Sequence, residues 1–422
     1  MSGNVFDELK ARGFIAQVSD EAAVRKMLAE KTVTYYIGYD CTASSLHAGS
    51  LVPIMAMIHL RRAGHRTIAV IGGGTTMVGD PSGKTEMRQL LEAGTIRSYG
   101  VEIRDQLDTY LHFDGVNALS VDNADWLLPL NYVTFLREIG RHFSVNRMLA
   151  SEAYKLRLEK GLSFIEFNYQ LLQAYDYLTL YRTHGCTLQM GGDDQWGNIL
   201  AGVDLIRRVE GAQVEAMTFP LLETASGAKM GKTARGAVWL DGNLFSPYDY
   251  YQFWVNTDDR DVGRFLKLFT LLPLETIENL AALKGAEINY AKRELAFEAT
   301  KLTHGEEAAQ KAKEASASVF ISDTIYNEIK LTSTVTDGIN SLPTTIINRA
   351  RLEAGIAPAE LFTEVGLTPS RGEAKRLIKQ GGLYVNDERI DSLERLLTLK
   401  DVSPGGMLLK AGKKKIHRVI AG

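Results

Sequence analysis

"VTYYIGYDCTASSLHAGSLVPIMAMIHLRRAGHRTIAVIGGG", residues 33–74, decides the fold class. Val33–Asp40 is rich in β-branched and aromatic residues and ends in a turn, which predicts a strand. The run that opens with Ser50 and Leu51 has helical spacing and stops at Gly64. Thr67–Gly74 is a continuous apolar strand ending in glycines. "ALSVDNADW" (118–126) and "CTLQMGGDDQW" (186–196) read as further strands that run into polar loops. Strands alternating with helices imply an α/β fold, a parallel sheet with helices on both faces. Ligands in such sheets bind outside the carboxyl ends of the strands. The polar clusters fall there, after Asp40, Gly74, Val121 and Met190.

From about residue 246 to 326 strand signals thin out and helical periodicity dominates. "KLTSTVTDGINSLP" (330–343) has linker composition. "TPSRGEAKRLIKQGGLYVNDERI" (368–390) reads as a basic helix, a Gly-Gly turn and a strand. The expected division is 1–222, 223–326, a linker at 327–341, and 342–422.

A chain of 422 residues is too long for one small core. Its composition, 45% hydrophobic and 23% charged, is that of a soluble globular protein. No apolar run is long enough to span a bilayer. Residues 1–20 form a polar amphipathic pattern, unlike a signal peptide. Two cysteines, Cys41 and Cys186, lack metal-ligand spacing and cannot make a disulfide framework, so a cytoplasmic location is expected. The net charge is −3, but Ser370 to Gly422 holds 12 Lys and Arg against 6 Asp and Glu, an excess of six positive charges. The rest of the chain is therefore at −9. A basic end on an acidic body points to a polyanionic partner, or else to a solvated charged surface.

Four short patterns carry candidate chemistry. "SSLHAGSLV" (44–52) places His47 and Gly49 at a helix start, where free backbone N–H groups attract anions. With 8 His and 38 Gly in the chain, chance supplies roughly 0.7 such H-x-G pairs, so a plain turn explains it equally well. "KMGKT" (229–233) sets two lysines around a glycine, suited to charge on a departing pyrophosphate or simply to an exposed turn. "GGDDQWGN" (191–198) ends a buried strand with Asp193, Asp194 and Gln195 together, more than a structural turn requires, which favours contact of all three with a ligand. In "FNYQLLQAYD" (167–176), Tyr169, Gln173 and Asp176 lie at i, i+4 and i+7 on one helix face. That stripe is a solvated face or a grip on a small zwitterion with a polar tip.

Taken together, these blocks resemble the bacterial tyrosyl-tRNA synthetases, a class I aminoacyl-tRNA synthetase family, over nearly the whole chain. "HAGS" and "KMGKT" resemble the two signatures shared by many class I enzymes. "GGDDQWGN", "YQLLQAYD", "VGDPSGK", "FSVNRML" and "GLSFIEF" resemble blocks of the tyrosine enzyme. The resemblance implies a Rossmann-like catalytic domain, an α-helical domain and a small α+β RNA-binding C-terminal domain. It also implies tyrosine, ATP with Mg²⁺ and tRNA as substrates, no dedicated protein metal site, and a homodimer with contacts near residues 126–164. Phe135, Phe143, Met148 and Phe164 suit such contacts or an ordinary core.

Position by position, the resemblance puts Tyr36 and Asp176 on the phenolic hydroxyl of tyrosine. Asp80, Tyr169 and Gln173 fall on its ammonium group. Gly38, Asp194 and Gln195, with Gly49 and Gly192, fall along the nucleotide and the reacting carboxylate. Asp40, Thr42 and His47 face the phosphates, and Lys229, Lys232, Thr233, Lys84 and Arg88 close over pyrophosphate. Arg371, Lys375, Arg376 and Lys379 reach the tRNA, with Lys413, Lys414 and Lys415 adding phosphate contacts. Three positions depart from the family pattern. Ser50 replaces the second signature histidine, Ile37 replaces a small polar residue of some relatives, and Thr85 removes a loop charge. A non-catalytic RNA-binding relative and the tryptophan enzyme are the alternatives, disfavoured by intact signatures and by the Tyr36–Asp176 pair respectively.

Overall fold

The computed structural model describes residues 3–82, 91–150, 154, 157–159, 161–225, 227, 230–233, 236–320, 342–386, 388–403, 406–412 and 415–422, the side chains at 232, 233 and 318–320 excepted. Five parallel strands make the first sheet: β1 (Thr34–Asp40), β2 (Arg66–Gly72), β3 (Ala118–Asp122), β4 (Cys186–Gly192) and β5 (Glu215–Phe219). Their order is β3-β2-β1-β4-β5. Successive crossovers run one way from β1 to β3 and the other way from β4 to β5. The strand order therefore reverses between β1 and β4, and a crevice opens at their carboxyl ends.

The expected β-α-β unit at 33–74 is present. Its helix, Leu51–Arg62, buries nearly every residue because other helices cover the side away from the sheet. One cover is the helix Val5–Arg12, which a left-handed Gly13 terminates. Arg12 is buried and donates to the carbonyls of Lys267, Thr270 and Leu272, at and just beyond the carboxyl end of the helix Val262–Phe269. Those carbonyls lack intrahelical partners, so a guanidinium suits them. On the opposite sheet face, Ile68, Val70, Tyr177, Leu178, Cys186 and Leu205 share a core with the helices Tyr169–His184 and Trp196–Glu210. Phe135 and Met148 belong to that core, so they are not surface contacts, whereas Phe164 is 69% exposed. Cys41 and Cys186 are free and buried.

The described chain forms two compact units, Met1–Leu244 with Asp258–Ala291, and Phe245–Thr257 with Lys292–Gly422. Residues 223–326 are thus shared between them. The second unit contains the helices Ile288–His304 (from Lys292 onward) and Glu306–Phe320 and a mixed sheet. That sheet has the order β10-β9-β11-β12-β8, where β8 (Thr344–Ile347) is parallel to β12 (Lys415–Ala421). The antiparallel remainder is β9 (Leu383–Val385), β10 (Glu388–Arg389) and β11 (Met407–Ala411). The basic helix expected before β9 spans Arg371–Gln380, starts on the Ser370 cap and ends at left-handed Gly381. It buries Ala374 and Ile378. The expected linker at 327–341 lies outside the described residues.

Candidate active site

Side chains alternate along a strand, so Tyr36, Gly38 and Asp40 share one face of β1. Tyr36 pairs in register with Gln189 of β4. With the helix Tyr169–His184, these strands line a cavity of about 260 Å³ at the β1/β4 crevice. The three-residue stripe points into it, so Tyr169, Gln173 and Asp176 are wall residues rather than a solvated face. Ile37, Ser50, Asp80, Gly192, Asp194 and Gln195 line it too.

Asp176 lies deepest in hydrogen-bond terms. Its Oδ2 accepts from Asn123 Nδ2 at 3.0 Å and its Oδ1 from Trp126 Nε1 at 2.7 Å. Burial lifts its carboxyl to about 7; the two donors pull it back, and the charges of Asp40 and Asp122 add to the rise. The Tyr36 hydroxyl is buried without a protein hydrogen-bond partner. Burial first, then the nearby Asp176 charge, push that phenol well above its usual value. Gln173 Oε1 and Gln189 Oε1 are likewise buried and unpartnered. A buried polar atom without a partner costs free energy, so three of them around one cavity suit a polar ligand.

Toward the mouth, Asp80 Oδ1 accepts from Ser82 N at 2.9 Å, and its Oδ2 from Gln195 Nε2 at 2.7 Å. Burial, followed by the Asp40 charge, raises the Asp80 carboxyl. Asp40 accepts from Thr75 Oγ1 at 3.0 Å and from the Tyr169 hydroxyl at 3.2 Å. The Asp40 charge raises both the Asp80 and the Asp176 carboxyls, and carboxylates gathered in this way attract a cation such as an ammonium group. Gly72 and Gly192 keep the rim open: a Cβ would lie 2.6 Å from Asp40 Oδ1 and from Asp194 Oδ1 respectively.

The two signature blocks meet next to Ser50. His47 is extended, and its Nδ1 accepts from Gly49 N at 3.0 Å, which leaves Nε2 as the protonated nitrogen of the neutral ring. A short 3₁₀ turn, Ala48–Ser50, then leads into the helix Leu51–Arg62. A Cβ on Gly231 would lie 2.6 Å from Gly49 N, and one on Gly49 would lie 2.8 Å from the His47 ring and 3.0 Å from Met230 O. The chain is fastened there by Ala48 N to Val238 O at 2.8 Å and Val238 N to Gly231 O at 2.9 Å. Ser50 lines the cavity, whereas His47, Gly49 and exposed Thr42 do not. Lys232 and Thr233 form β6, which pairs with β7 (Gly236–Ala237). Lys84, Thr85, Arg88, Lys229, Lys413 and Lys414 lie outside the described residues. Arg371, Lys375, Arg376, Lys379 and Lys415 are exposed in the second unit.

One reading is corrected. Asp193 does not line the cavity, and its Oδ1 instead accepts from Gln17 Nε2 and Thr218 Oγ1. Asn123, Trp126 and Gln189 were missed. The signal for Gln189 was an amide in the mostly apolar strand run "CTLQM". No group of three or more His, Cys, Asp or Glu that could hold a metal occurs among the described residues. None of their helices is long and apolar enough to cross a membrane.

Residues 28–321 match the family model "tRNA synthetases class I (W and Y)", and residues 335–419 match the "Tyrosine--tRNA ligase SYY-like C-terminal domain". The chain is 56% identical to a tyrosine–tRNA ligase of Syntrophus aciditrophicus over 418 residues, covering 98% of this chain and 97% of the relative. It is 53% identical to one of Desulfatibacillum aliphaticivorans, over 100% and 99% of the two chains. Among solved structures, a C-terminally truncated mitochondrial tyrosyl-tRNA synthetase of Aspergillus nidulans superimposes with a TM-score of 0.69 at 28% identity, over 76% of this chain and 95% of the other.

Proposed function

The chain belongs to the tyrosine–tRNA ligase family of class I aminoacyl-tRNA synthetases, and on that premise we propose that it activates L-tyrosine with ATP and passes it to the 3′-terminal adenosine of its tRNA. In the first step a carboxylate oxygen of tyrosine attacks the α-phosphorus of ATP. The new P–O bond forms as the bond to the β-phosphate oxygen breaks, and pyrophosphate leaves. The nucleophile is already an anion, so the site has no proton to remove. Its task is to position the reactants and to stabilise charge spreading over phosphate oxygens. Magnesium enters with ATP as part of that substrate. In the second step a ribose hydroxyl of the tRNA attacks the carbonyl carbon and its proton passes to water, while the bond from that carbon to the phosphate oxygen breaks and AMP departs.

The observation that carries this reading is the buried pair at the closed end, the unpartnered Tyr36 hydroxyl beside the carboxylate of Asp176. A phenolic hydroxyl donates to that carboxylate and accepts from Tyr36. Phenylalanine leaves the buried Tyr36 hydroxyl unpaired, at a cost of about 1–3 kcal/mol, and gives Asp176 no donor beyond Asn123 and Trp126. Asp80, with Asp40 and Tyr169 nearby, suits the ammonium group, which fixes the amino acid at both ends. Asp194 and Gln195 in the turn after β4, with Gly38 on β1 and the nearby signature residues, suit the nucleotide. The basic face of Arg371–Gln380 suits tRNA phosphates.

The test is tyrosine-dependent exchange of pyrophosphate into ATP, run beside phenylalanine and tryptophan. Exchange with tyrosine alone is expected; none with tyrosine, or equal exchange with tryptophan, overturns the assignment.

A further inference from the structure

The corrected residue, Asp193, points to something the catalytic reading does not use. β4 ends at Gly192, and the 3₁₀ turn Asp193–Gln195 follows at once. Two residues of this turn, Asp194 and Gln195, line the cavity, and the first turns away. Asp193 Oδ1 accepts from Gln17 Nε2 at 2.7 Å and from Thr218 Oγ1 at 2.8 Å. Thr218 Oγ1 in turn accepts from Gln17 N at 3.1 Å. The three bonds close a ring among three separate pieces of chain. Thr218 sits on β5 and is completely buried. Gln17 belongs to a segment laid antiparallel along β5, through Ala16 N to Thr218 O, Thr218 N to Gln17 O and Ser19 N to Ala216 O, each 2.8–2.9 Å. The ring thus ties the turn both to the sheet and to the amino-terminal segment.

What the turn carries is sensitive to small movement. Gln195 Nε2 donates to Asp80 Oδ2 at 2.7 Å and lies 3.5 Å from Asp194 Oδ2, so one amide holds two carboxylates together. Its Oε1 accepts from Asn198 Nδ2 at 3.3 Å, and Asn198 also reaches Ser82 Oγ at 3.2 Å. We infer that Asp193 is a positioning residue: anchored by Gln17 and Thr218, it fixes the turn that aims Asp194 and Gln195 at the nucleotide and the reacting carboxylate. The inference rests on the adenylate-forming reading. It adds that the amino-terminal segment, remote from the cavity, sets the geometry of its rim. A shift of about 1 Å in reacting groups costs up to ~100-fold in rate. An anchor of this kind can therefore matter without touching substrate.

The experiment compares Asp193→Ala, Asp193→Asn and Gln17→Ala with the unaltered enzyme in tyrosine-dependent pyrophosphate exchange, with melting temperature and equilibrium tyrosine binding measured alongside. Asn keeps the accepting oxygen and Ala does not. Asp193→Ala is expected to lose about 10-fold or more in kcat/KM for ATP, with folding retained. Asp193→Asn should recover to within about threefold, and Gln17→Ala should fall between, since Thr218 still holds the carboxylate. Tyrosine binding without ATP should change less than the ATP term, because Tyr36 and Asp176 lie on other elements. Normal exchange by Asp193→Ala overturns the inference. So does an equal loss in the Ala and Asn variants that follows their melting temperatures, which marks a purely structural tie. Absence of exchange in the unaltered enzyme overturns the catalytic reading itself, and this inference with it.

Discussion

At the scale of the residue, Asp176 holds a buried carboxyl beside the Tyr36 hydroxyl. Burial raises its carboxyl to about 7, so it carries a proton through the mildly acidic range. The ionised form is much the stronger acceptor for a phenolic hydroxyl. The kcat/KM for tyrosine should therefore rise as pH passes upward through about 7, then level off. The same profile for Asp176→Asn should be flat across that range. A wild-type profile equally flat from pH 6 to 8 would show that Asp176 does not limit tyrosine capture. The Asn variant should also narrow the preference for tyrosine over phenylalanine by about 2 kcal/mol, ~30-fold, because a charged acceptor has been replaced. Competitive exchange assays read that ratio directly, and an unchanged ratio removes Asp176 from the hydroxyl. Gly231 supplies a second test at this scale. It is left-handed, with φ of 81°, and its Cα hydrogen faces Gly49 N. Gly231→Ala should force the two signature blocks apart and lower kcat about 10-fold to 100-fold, while tyrosine affinity stays within about twofold. Matching losses in kcat and tyrosine affinity would mean that the block supports the whole pocket.

At the scale of the element, what the sequence disclosed follows from periodicity. The β-α-β unit was legible because a strand–helix–strand pattern has few other solutions. Tyr169, Gln173 and Asp176 were legible because a 3.6-residue period puts i, i+4 and i+7 on one face. Asn123, Trp126 and Gln189 were hidden because they reach Asp176 and Tyr36 only after β3, β1 and β4 have been aligned. Asp193 was misread for a related reason. Two adjacent carboxylates must point in different directions, and no local pattern states which one faces the cavity. The helix Arg371–Gln380 was legible from its cap, its glycine stop and its charge, and it now has a defined inner face at Ala374 and Ile378. Its outer charges are partly balanced, since Arg376 reaches Glu373 at 2.7 Å and Arg371 lies 3.6 Å from Glu360. Exposed pairs of this kind are weak and exchange easily for phosphate. Replacing Lys375 and Lys379 by Ala should leave pyrophosphate exchange unchanged. It should weaken tRNA binding and make the salt dependence shallower, by about 1 in slope for each phosphate no longer neutralised. An unaltered slope in a filter-binding titration would exclude this face from the tRNA.

At the scale of the whole molecule, the distribution of exposed apolar side chains bears on how the chain behaves in solution. Among the described residues, eight of the sixteen exposed large apolar side chains fall between Leu128 and Ile165. They include Tyr132, Val133 and Phe164, at 56%, 72% and 69% exposure. Scattered apolar side chains are ordinary on a surface, but such a concentration in one stretch leads us to propose a contact region there. The stretch is also firmly held from within. Ser163 and Glu166 form a capping box, and the buried Arg157–Glu166 pair closes at 3.0 Å. The Tyr154 hydroxyl donates to Phe167 O at 3.0 Å. A surface pinned on its inner side and bare on its outer side suits a second copy of the same chain, joined about a two-fold axis. It also leads directly into Tyr169, so the contact would back the wall of the cavity. Phe164→Asp should accordingly shift sedimentation from the mass of a dimer toward that of a monomer, and raise the KM for tyrosine as the wall loosens. Dissociation with unchanged kinetics would separate assembly from the site. An unaltered enzyme that sediments as a monomer at micromolar concentration would show that this surface meets something other than its own copy.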